Sequence, residues 1–346
     1  MLYFHNDYNE TCHPSIIEAM AASQKSQMVG YGEDIHCHRA ADLIRQKCGR
    51  EDLSVHFLVG GTQTNLTVIA SALRPYQAVL TAQSGHINVH ETGAIEATGH
   101  KVVVLPSSDG KLSAKQISDF AYAQVNCGEA EHIVQVKMVY ISFPTETGTI
   151  YSLSELEQLR AVCDQYGFYL YVDGARLGYG LTAKGNDVTI KALARLCDVF
   201  YIGGTKVGAM FGEAVVISNP SIAEDFRYMM KQRGGMLAKG WLLGIQFETL
   251  FKDDLYFTIS RHANELAEKI RSILLLLGYP LFVQCPTNQV FAVIPNSVLE
   301  KLKESVMFQI WETVDESHTV VRFCTSWATA RENVDILCQA LKNLAK

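Results

Sequence analysis

Short apolar, β-branched runs alternate with amphipathic stretches over most of this chain. The runs Val55–Leu58, Ala78–Thr81, Lys101–Leu105, Met138–Ser142, Tyr169–Val172, Val199–Ile202 and Ala214–Ile217 have the length and composition of buried strands. Between them, Thr64–Leu73 and Ser154–Gln165 repeat apolar residues at helical spacing. In the second, Leu156, Leu159, Val162 and Cys163 recur at three- and four-residue steps. Ser152 and Ser154, followed by Glu155 and Glu157, give that helix a capped and dipole-matched start. The alternation predicts an α/β fold, with a mainly parallel seven-stranded sheet and helices on both faces.

One connection departs from this pattern. Only eleven residues, Gly203–Glu213, separate Ile202 from Ala214, too few for a helical crossover. A hairpin-like return is expected there, making one strand antiparallel. From about Trp241 the texture changes. A long helix is expected over Trp241–Phe251 and on through His262–Leu277. Short strands follow at Phe282–Val283, Val290–Ile294 and Val320–Cys324, then a closing helix at Arg331–Lys346. The expected organisation is a large α/β domain over residues 1–245 and a smaller α+β domain over 246–346. The N-terminal segment is expected to pack near the smaller one.

Composition narrows the class. With 48% hydrophobic and 19% charged residues, the chain reads as an ordinary globular protein. A net charge of -6 with no basic cluster argues against nucleic acid or an anionic membrane surface as partner. Nine cysteines form no CxxC pair. Cys12 and Cys37 lie beside His13, His36 and His38, but Cys37 points away from its two neighbours and no second ligand pair appears. Reduced thiols and no metal are therefore expected. Met1–Asp7 lacks a charged stretch leading into an apolar one. The apolar run Ile273–Leu277 ends at Gly278 and Pro280, far short of the ~20 residues of a membrane span. A cytoplasmic location is expected.

Three segments carry candidate chemistry. Gly60–Asn65 follows the strand Val55–Leu58 and opens a helix, whose free N–H groups and positive dipole end suit a phosphate; Thr62 adds a hydroxyl. It matches neither a Walker loop nor GxGxxG. Asp173 closes the strand Tyr169–Val172 at the edge where open α/β sheets bind ligands. A carboxylate there suits a protonated pyridinium nitrogen, or pairs structurally with Arg176. Lys206, among the small residues of Gly203–Gly208, follows the strand Val199–Ile202. Burial would lower its pKa and make it an amine nucleophile toward an aldehyde, with Thr205 beside it as a phosphate donor. Cradle, Asp173 and Lys206 come in that order along one sheet edge.

The chain resembles the low-specificity threonine aldolases, within the pyridoxal 5'-phosphate-dependent β-eliminating lyase group. The likeness is carried by Tyr31–Asp34, Phe57–Leu66, Gly85–His86 with Glu91–Gly93, Val172–Leu177, Thr205–Lys206 and Val321–Arg322. It implies the aspartate-aminotransferase type fold, fold type I, and a homo-oligomer with active sites at the subunit interface, Tyr31 reaching across. It implies that Gly61, Thr62 and Gln63 bind the phosphate and that His86 stacks on the ring. Asp173 would pair with the ring nitrogen, and Lys206 would hold the cofactor as an internal aldimine. Arg322 and Arg176 would hold the substrate carboxylate, with Asn6 nearby where the family commonly has serine. Glu91 would orient His86 or meet the ring hydroxyl.

Two departures from the family pattern bear on substrate. Glu146 stands where the family commonly places a histidine that contacts the β-hydroxyl. Leu237 stands where a family arginine reaches the neighbouring subunit's phosphate, leaving Arg233 or Lys239 as replacements or as solvated cations. The resemblance implies aldol cleavage of threonine or a related β-hydroxy-α-amino acid to glycine and an aldehyde. Glu146, His86 or a water would take the hydroxyl proton. β-Elimination from an aromatic, serine- or cysteine-type amino acid stays open beside it. Aminotransfer and a non-catalytic binding protein of this fold are the remaining readings.

Overall fold

Each β-branched run becomes a strand; the inner ones are buried, which leaves their backbone no partner except another strand, and β-branched side chains carry the two edge runs. A computed structural model describes residues 1–345. In chain order its strands are β1 (Leu2–Tyr3), β2 (Ser54–Leu58), β3 (Gln77–Ala82), β4 (Lys101–Leu105), β5 (Gln135–Ser142) and β6 (Tyr169–Asp173). There follow β7 (Val199–Gly203), β8 (Glu213–Ile217), β9 (Gln289–Pro295), β10 (Val306–Met307), β11 (Gln309–Thr313) and β12 (His318–Cys324).

Seven strands form the central sheet, in the order β2-β8-β7-β6-β5-β3-β4. β3 pairs in parallel with β4 and β5, and β5, β6 and β7 continue in parallel. β8 runs antiparallel to both β2 and β7, so the short connection is indeed a return and β8 is the reversed strand. All residues of β3, β7 and β8 are buried, which requires cover on both faces. Val139, Ile141, Leu170, Val172, Phe200 and Ile202 face one core. Met138, Tyr140, Tyr171, Val199 and Tyr201 face the other. The helix Leu153–Tyr166 starts in a reciprocal capping box of Ser152 and Glu155 and stops at Gly167, at φ 66°. It buries Leu156, Leu159 and Cys163 against the sheet.

The expected long helix is two helices, Trp241–Phe251 and Leu255–Leu276. Asp253 and Asp254 between them adopt left-handed backbone, at φ 54° and 59°. Short polar Asp tolerates that conformation better than most residues, so the break needs no glycine. Leu243, Phe247 and Leu250 of the first helix belong to the large core. The expected boundary at 245/246 therefore falls inside a helix that packs with the large domain. A second core begins at Leu266 and gathers Phe4, Val290, Val321, Val334 and Leu337.

The small sheet runs β11-β12-β9 and is antiparallel. β11 was not expected from the sequence: it is a largely polar edge strand with a bulge between Ile310 and Glu312, and lacks strand alternation. Phe282–Val283 is not a strand; Phe282 donates one hydrogen bond to the Phe291 carbonyl (3.0 Å) and is 40% exposed. The closing helix runs Arg331–Leu344, and Lys346, in the expected span, lies outside the described residues. β1 pairs with β10 in parallel, and Cys324 donates its N–H to the Phe4 carbonyl at 2.7 Å. The N-terminal segment thus lies along the smaller domain and leads into the site.

Candidate active site

β5, β6 and β7 end at one edge of the sheet, where Ser142 lies opposite Asp173. Gly174 follows Asp173, and a Cβ there would stand 1.9 Å from the Tyr201 carbonyl oxygen, so only glycine lets β6 and β7 stay this close. Lys206 leaves the end of β7 into a cavity of about 220 Å³ that Asp173 also lines. Gly61, Thr62, His86, Glu146, Arg176 and Thr205 open onto the same cavity.

Asp173 accepts four hydrogen bonds. The Tyr201 hydroxyl (2.5 Å) and the Ala175 N–H (2.9 Å) reach Oδ1; the Tyr140 hydroxyl (2.5 Å) and Asn65 Nδ2 (3.2 Å) reach Oδ2. Burial, then the Asp173 charge, push the Tyr140 and Tyr201 phenols well above their ordinary range, keeping both as donors. Asn65 accepts the Tyr171 hydroxyl (2.7 Å) and donates to Glu91 (2.7 Å), which accepts His86 Nδ1 at 2.8 Å. That contact orients the imidazole, and Nε2 has no hydrogen-bond partner among the described residues. Asn65, Tyr140, Tyr171 and Tyr201 were not singled out from the sequence. The period-two alternation holds the clue: Tyr171 lies two residues before Asp173 on the same face.

The helix Gly61–Ala72 starts at Gly60 with no side-chain cap and no acidic residue in its first turn. Its leading N–H groups are therefore free for an anion. The Gln63 side chain is engaged elsewhere, accepting from the Val59 N–H (3.3 Å) and donating to the Arg233 carbonyl (3.2 Å), so only its backbone N–H serves the cradle. Thr205 accepts from the Gly212 N–H (3.0 Å) and donates to Glu213 (2.9 Å). Burial, then Arg176, press the Lys206 ammonium below the usual lysine range, against Asp7, Asp173 and Glu213. An uncapped helix start, a deprotonatable lysine and a strand-end carboxylate in one cavity fit pyridoxal phosphate at its phosphate, aldehyde and ring nitrogen.

Arg176 forms a two-pronged ion pair with Asp7, from Nε to Oδ2 (2.6 Å) and Nη2 to Oδ1 (2.9 Å). Burial alone would raise the Asp7 carboxyl, but Arg176, Lys206 and Arg322 hold it well below the usual carboxylate range. Asn288 adds a donor to Asp7 at 2.9 Å. Two of the guanidinium nitrogens of Arg176 are thus committed within the protein. Arg322 donates Nη1 to Gln289 (2.8 Å) and Nη2 to the His5 carbonyl (3.2 Å), while its buried Nε has no partner among the described residues.

Glu146 turns inward. Its Oε1 accepts the His86 N–H (2.9 Å) and the Ser142 hydroxyl (2.7 Å). Burial raises its carboxyl above the ordinary glutamate range, Asp173 adding to the shift against those two donors. The loop that carries it is pinned from outside. Thr147 and Thr149 donate to the Asp109 carbonyl at 2.9 and 2.8 Å, and Thr145 lies 2.7 Å from the Thr149 hydroxyl.

Asn6 and Tyr31 do not line this cavity, Tyr31 being expected to serve the neighbouring subunit's site. Asn6 accepts the Tyr8 N–H at 3.0 Å, and it is its neighbour Asp7 that reaches the site. Tyr31 is 46% exposed beside a different cavity, with Lys231 Nζ 4.7 Å from its ring centre. Leu237 lines that other cavity, and the Arg233 carbonyl anchors Gln63.

The β-eliminating lyase family model matches residues 9–295, and the chain belongs to that family. It is similar to a threonine aldolase from Leishmania major over 100% of both chains, at 44% identity and a TM-score of 0.97. It is also 28% identical over 340 residues to the low specificity L-threonine aldolase of Pseudomonas aeruginosa, covering 97% of this chain and 96% of that one. An aspartate aminotransferase from Thermus thermophilus, 16% identical, shares the fold at a TM-score of 0.71, over 99% of this chain and 91% of that one.

Proposed function

We propose that this protein cleaves L-threonine and related β-hydroxy-α-amino acids to glycine and an aldehyde, with pyridoxal 5'-phosphate held at Lys206. The observation that carries this reading is the convergence of Lys206, Asp173 and the uncapped start of Gly61–Ala72 on one cavity. When bound, the cofactor supplies an electron sink for the pair left as the Cα–Cβ bond breaks. Asp173, fixed by four donors, keeps a proton on the ring nitrogen. His86, oriented by Glu91, presents its ring as a stacking face. Lys206, eased toward its neutral form, is the nucleophilic amine. The Gly61, Thr62 and Gln63 N–H groups hold the phosphate. Arg322, with its free Nε, takes the substrate carboxylate; Arg176, largely held by Asp7, stiffens that side.

Glu146 takes the proton of the β-hydroxyl. As base it must be ionised, so kcat/KM rises as pH climbs through its raised pKa. Glu146→Gln is expected to lower kcat by about 10²-fold and to erase that acid limb. An unchanged limb takes the proton transfer away from Glu146 and leaves it to His86 or a water. The family-level rival, β-elimination, is separated by product. Acetaldehyde from threonine, far exceeding pyruvate from serine or cysteine, is expected; pyruvate in excess overturns the aldol reading.

The sites belong to a homo-oligomer, at least a dimer, with Tyr31 reaching toward the partner. Exposed Ile17, Val29, Tyr31 and Ile35 near the N-terminus support such a contact. No helix among the described residues is long and apolar enough to cross a membrane. The nine cysteines are free thiols, which supports a reducing, cytoplasmic location.

A further inference from the structure

Glu213 is a buried carboxyl that the steps above leave unused. It is the first residue of β8, opposite Leu58 at the end of β2 and Gly203 at the end of β7. Because β8 is reversed, its first residue comes out where the parallel strands finish. The side chain is enclosed, the residue being 4% exposed, and lines the same cavity as Gly61, Thr62 and Lys206. Its Oε2 accepts the Gly204 N–H at 3.0 Å, and its Oε1 accepts the Thr205 hydroxyl at 2.9 Å.

This arrangement conflicts with a phosphate-bearing ligand. Thr205 has one hydroxyl proton, and it points at Glu213 rather than at the cradle. An ionised Glu213 also adds a negative charge beside a site meant for a dianion. Both conflicts vanish if Oε1 carries a proton. The Glu213 O–H then donates to Thr205 Oγ1, whose second lone pair already accepts the Gly212 N–H, and the Thr205 proton is freed for the phosphate, its other acceptor in reach being the Gly212 carbonyl at a long 3.5 Å. Oε2 keeps its bond from Gly204.

We propose that Glu213 is a proton-coupled gate on cofactor binding. It takes one proton from solvent when the phosphate enters, and so reverses the Thr205 hydrogen bond. The proposal rests on the phosphate-site reading above. Charged and titratable groups face Glu213 from several packed elements. Lys206, on the loop after β7, favours its ionised form, while Asp173 on β6 opposes it. The phenols of Tyr171, Tyr201 and Tyr256 feel its charge from β6, β7 and the helix Leu255–Leu276. The helix Gly61–Ala72 has no charged side chain. Burial dominates the balance and pushes the Glu213 carboxyl up to about 8, against Thr205, Lys206 and Gly204, so its proton is exchangeable near physiological pH.

The test uses the full chain freed of aldehyde cofactor and titrated calorimetrically with 4'-deoxypyridoxine 5'-phosphate. This ligand cannot bond Lys206. Runs at pH 8.5 in two buffers of different ionisation enthalpy give the protons taken up, for wild type and for Glu213→Gln. The glutamine amide donates to Thr205 as the acid would, without titrating. The ligand's own ring and phosphate contribute equally to both proteins, so the difference reports residue 213 together with the Lys206 ammonium that feels its charge. Wild type is expected to take up roughly half to one proton more than E213Q. Equal uptake overturns the proposal.

A second measurement needs no variant. The affinity of wild type for inorganic phosphate, a dianion throughout this range, is expected to fall by up to about tenfold per pH unit above about pH 8. A flat or rising affinity overturns the proposal even if E213Q does not fold. Failure of the cofactor reading itself looks different: pyridoxal phosphate then gives no borohydride-reducible adduct at Lys206 in either protein.

Discussion

Lys206→Ala is expected to lose the borohydride-reducible adduct and to lower threonine cleavage by on the order of 10⁴-fold or more. The size follows from what the residue alone supplies. Burial and Arg176 ease Lys206 toward the neutral amine, and among the residues lining the cavity it is the one primary amine. Non-covalent retention of the cofactor by Asp173 and the helix start is expected to survive, so binding and chemistry separate in this variant. Lys206→Arg restores the charge but cannot release its proton at any accessible pH, and is expected to be as inactive as alanine. Visible absorbance with mass analysis after borohydride reduction checks the first claim, and acetaldehyde release checks the second. An alanine variant that keeps both adduct and rate would place the covalent bond elsewhere.

The second large effect is on stability. Asp7→Ala removes the only acidic partner that Arg176 has among the described residues, while the arginine stays buried. Breaking a buried pair from one side costs about 3–5 kcal/mol, because a desolvated charge is left uncompensated. Urea unfolding at pH 7 is the measurement, and a loss under about 1 kcal/mol would show that Arg176 escapes to solvent. The same pair sets a pH dependence. Asp7 is depressed in the folded protein, so its contribution is complete above the unfolded value of ~4 and fades as pH falls below it. In the Asp7→Ala variant that acid-side decline should be shallower.

What could be read from the sequence, and what could not, divides along physical lines. The seven sheet strands were legible because the inner ones are buried, short and apolar, and the edge runs Val55–Leu58 and Lys101–Leu105 are still β-branched or aromatic. The reversal of β8 was legible because eleven residues cannot hold a crossover helix. Lys206 and Asp173 announced themselves by position, one just beyond an apolar strand and one at the end of another. Asp7 did not, because it lies 169 residues from Arg176 and its neighbours give no periodic signal. Tyr140 and Tyr201 read as apolar strand residues, and only the register of β5, β6 and β7 turns their hydroxyls onto Asp173. Glu213 looked like the polar end of a turn. The break at Asp253–Asp254 was hidden for a related reason, since the apolar pattern resumes in helical phase on its far side.

The three threonines around the Asp109 carbonyl have a consequence for how substrate is recognised. Thr147 and Thr149 fill both lone pairs of that oxygen, and Thr145 closes the ring, so the loop has little freedom left to lose. Ordering a mobile loop costs about 1–2 kcal/mol of backbone entropy per residue, and a loop already immobilised avoids most of that cost on binding. In the proposed reaction Glu146 would therefore meet an incoming hydroxyl as a fixed template. A rigid template discriminates by shape at the β-carbon, while a flexible one would adapt to many side chains.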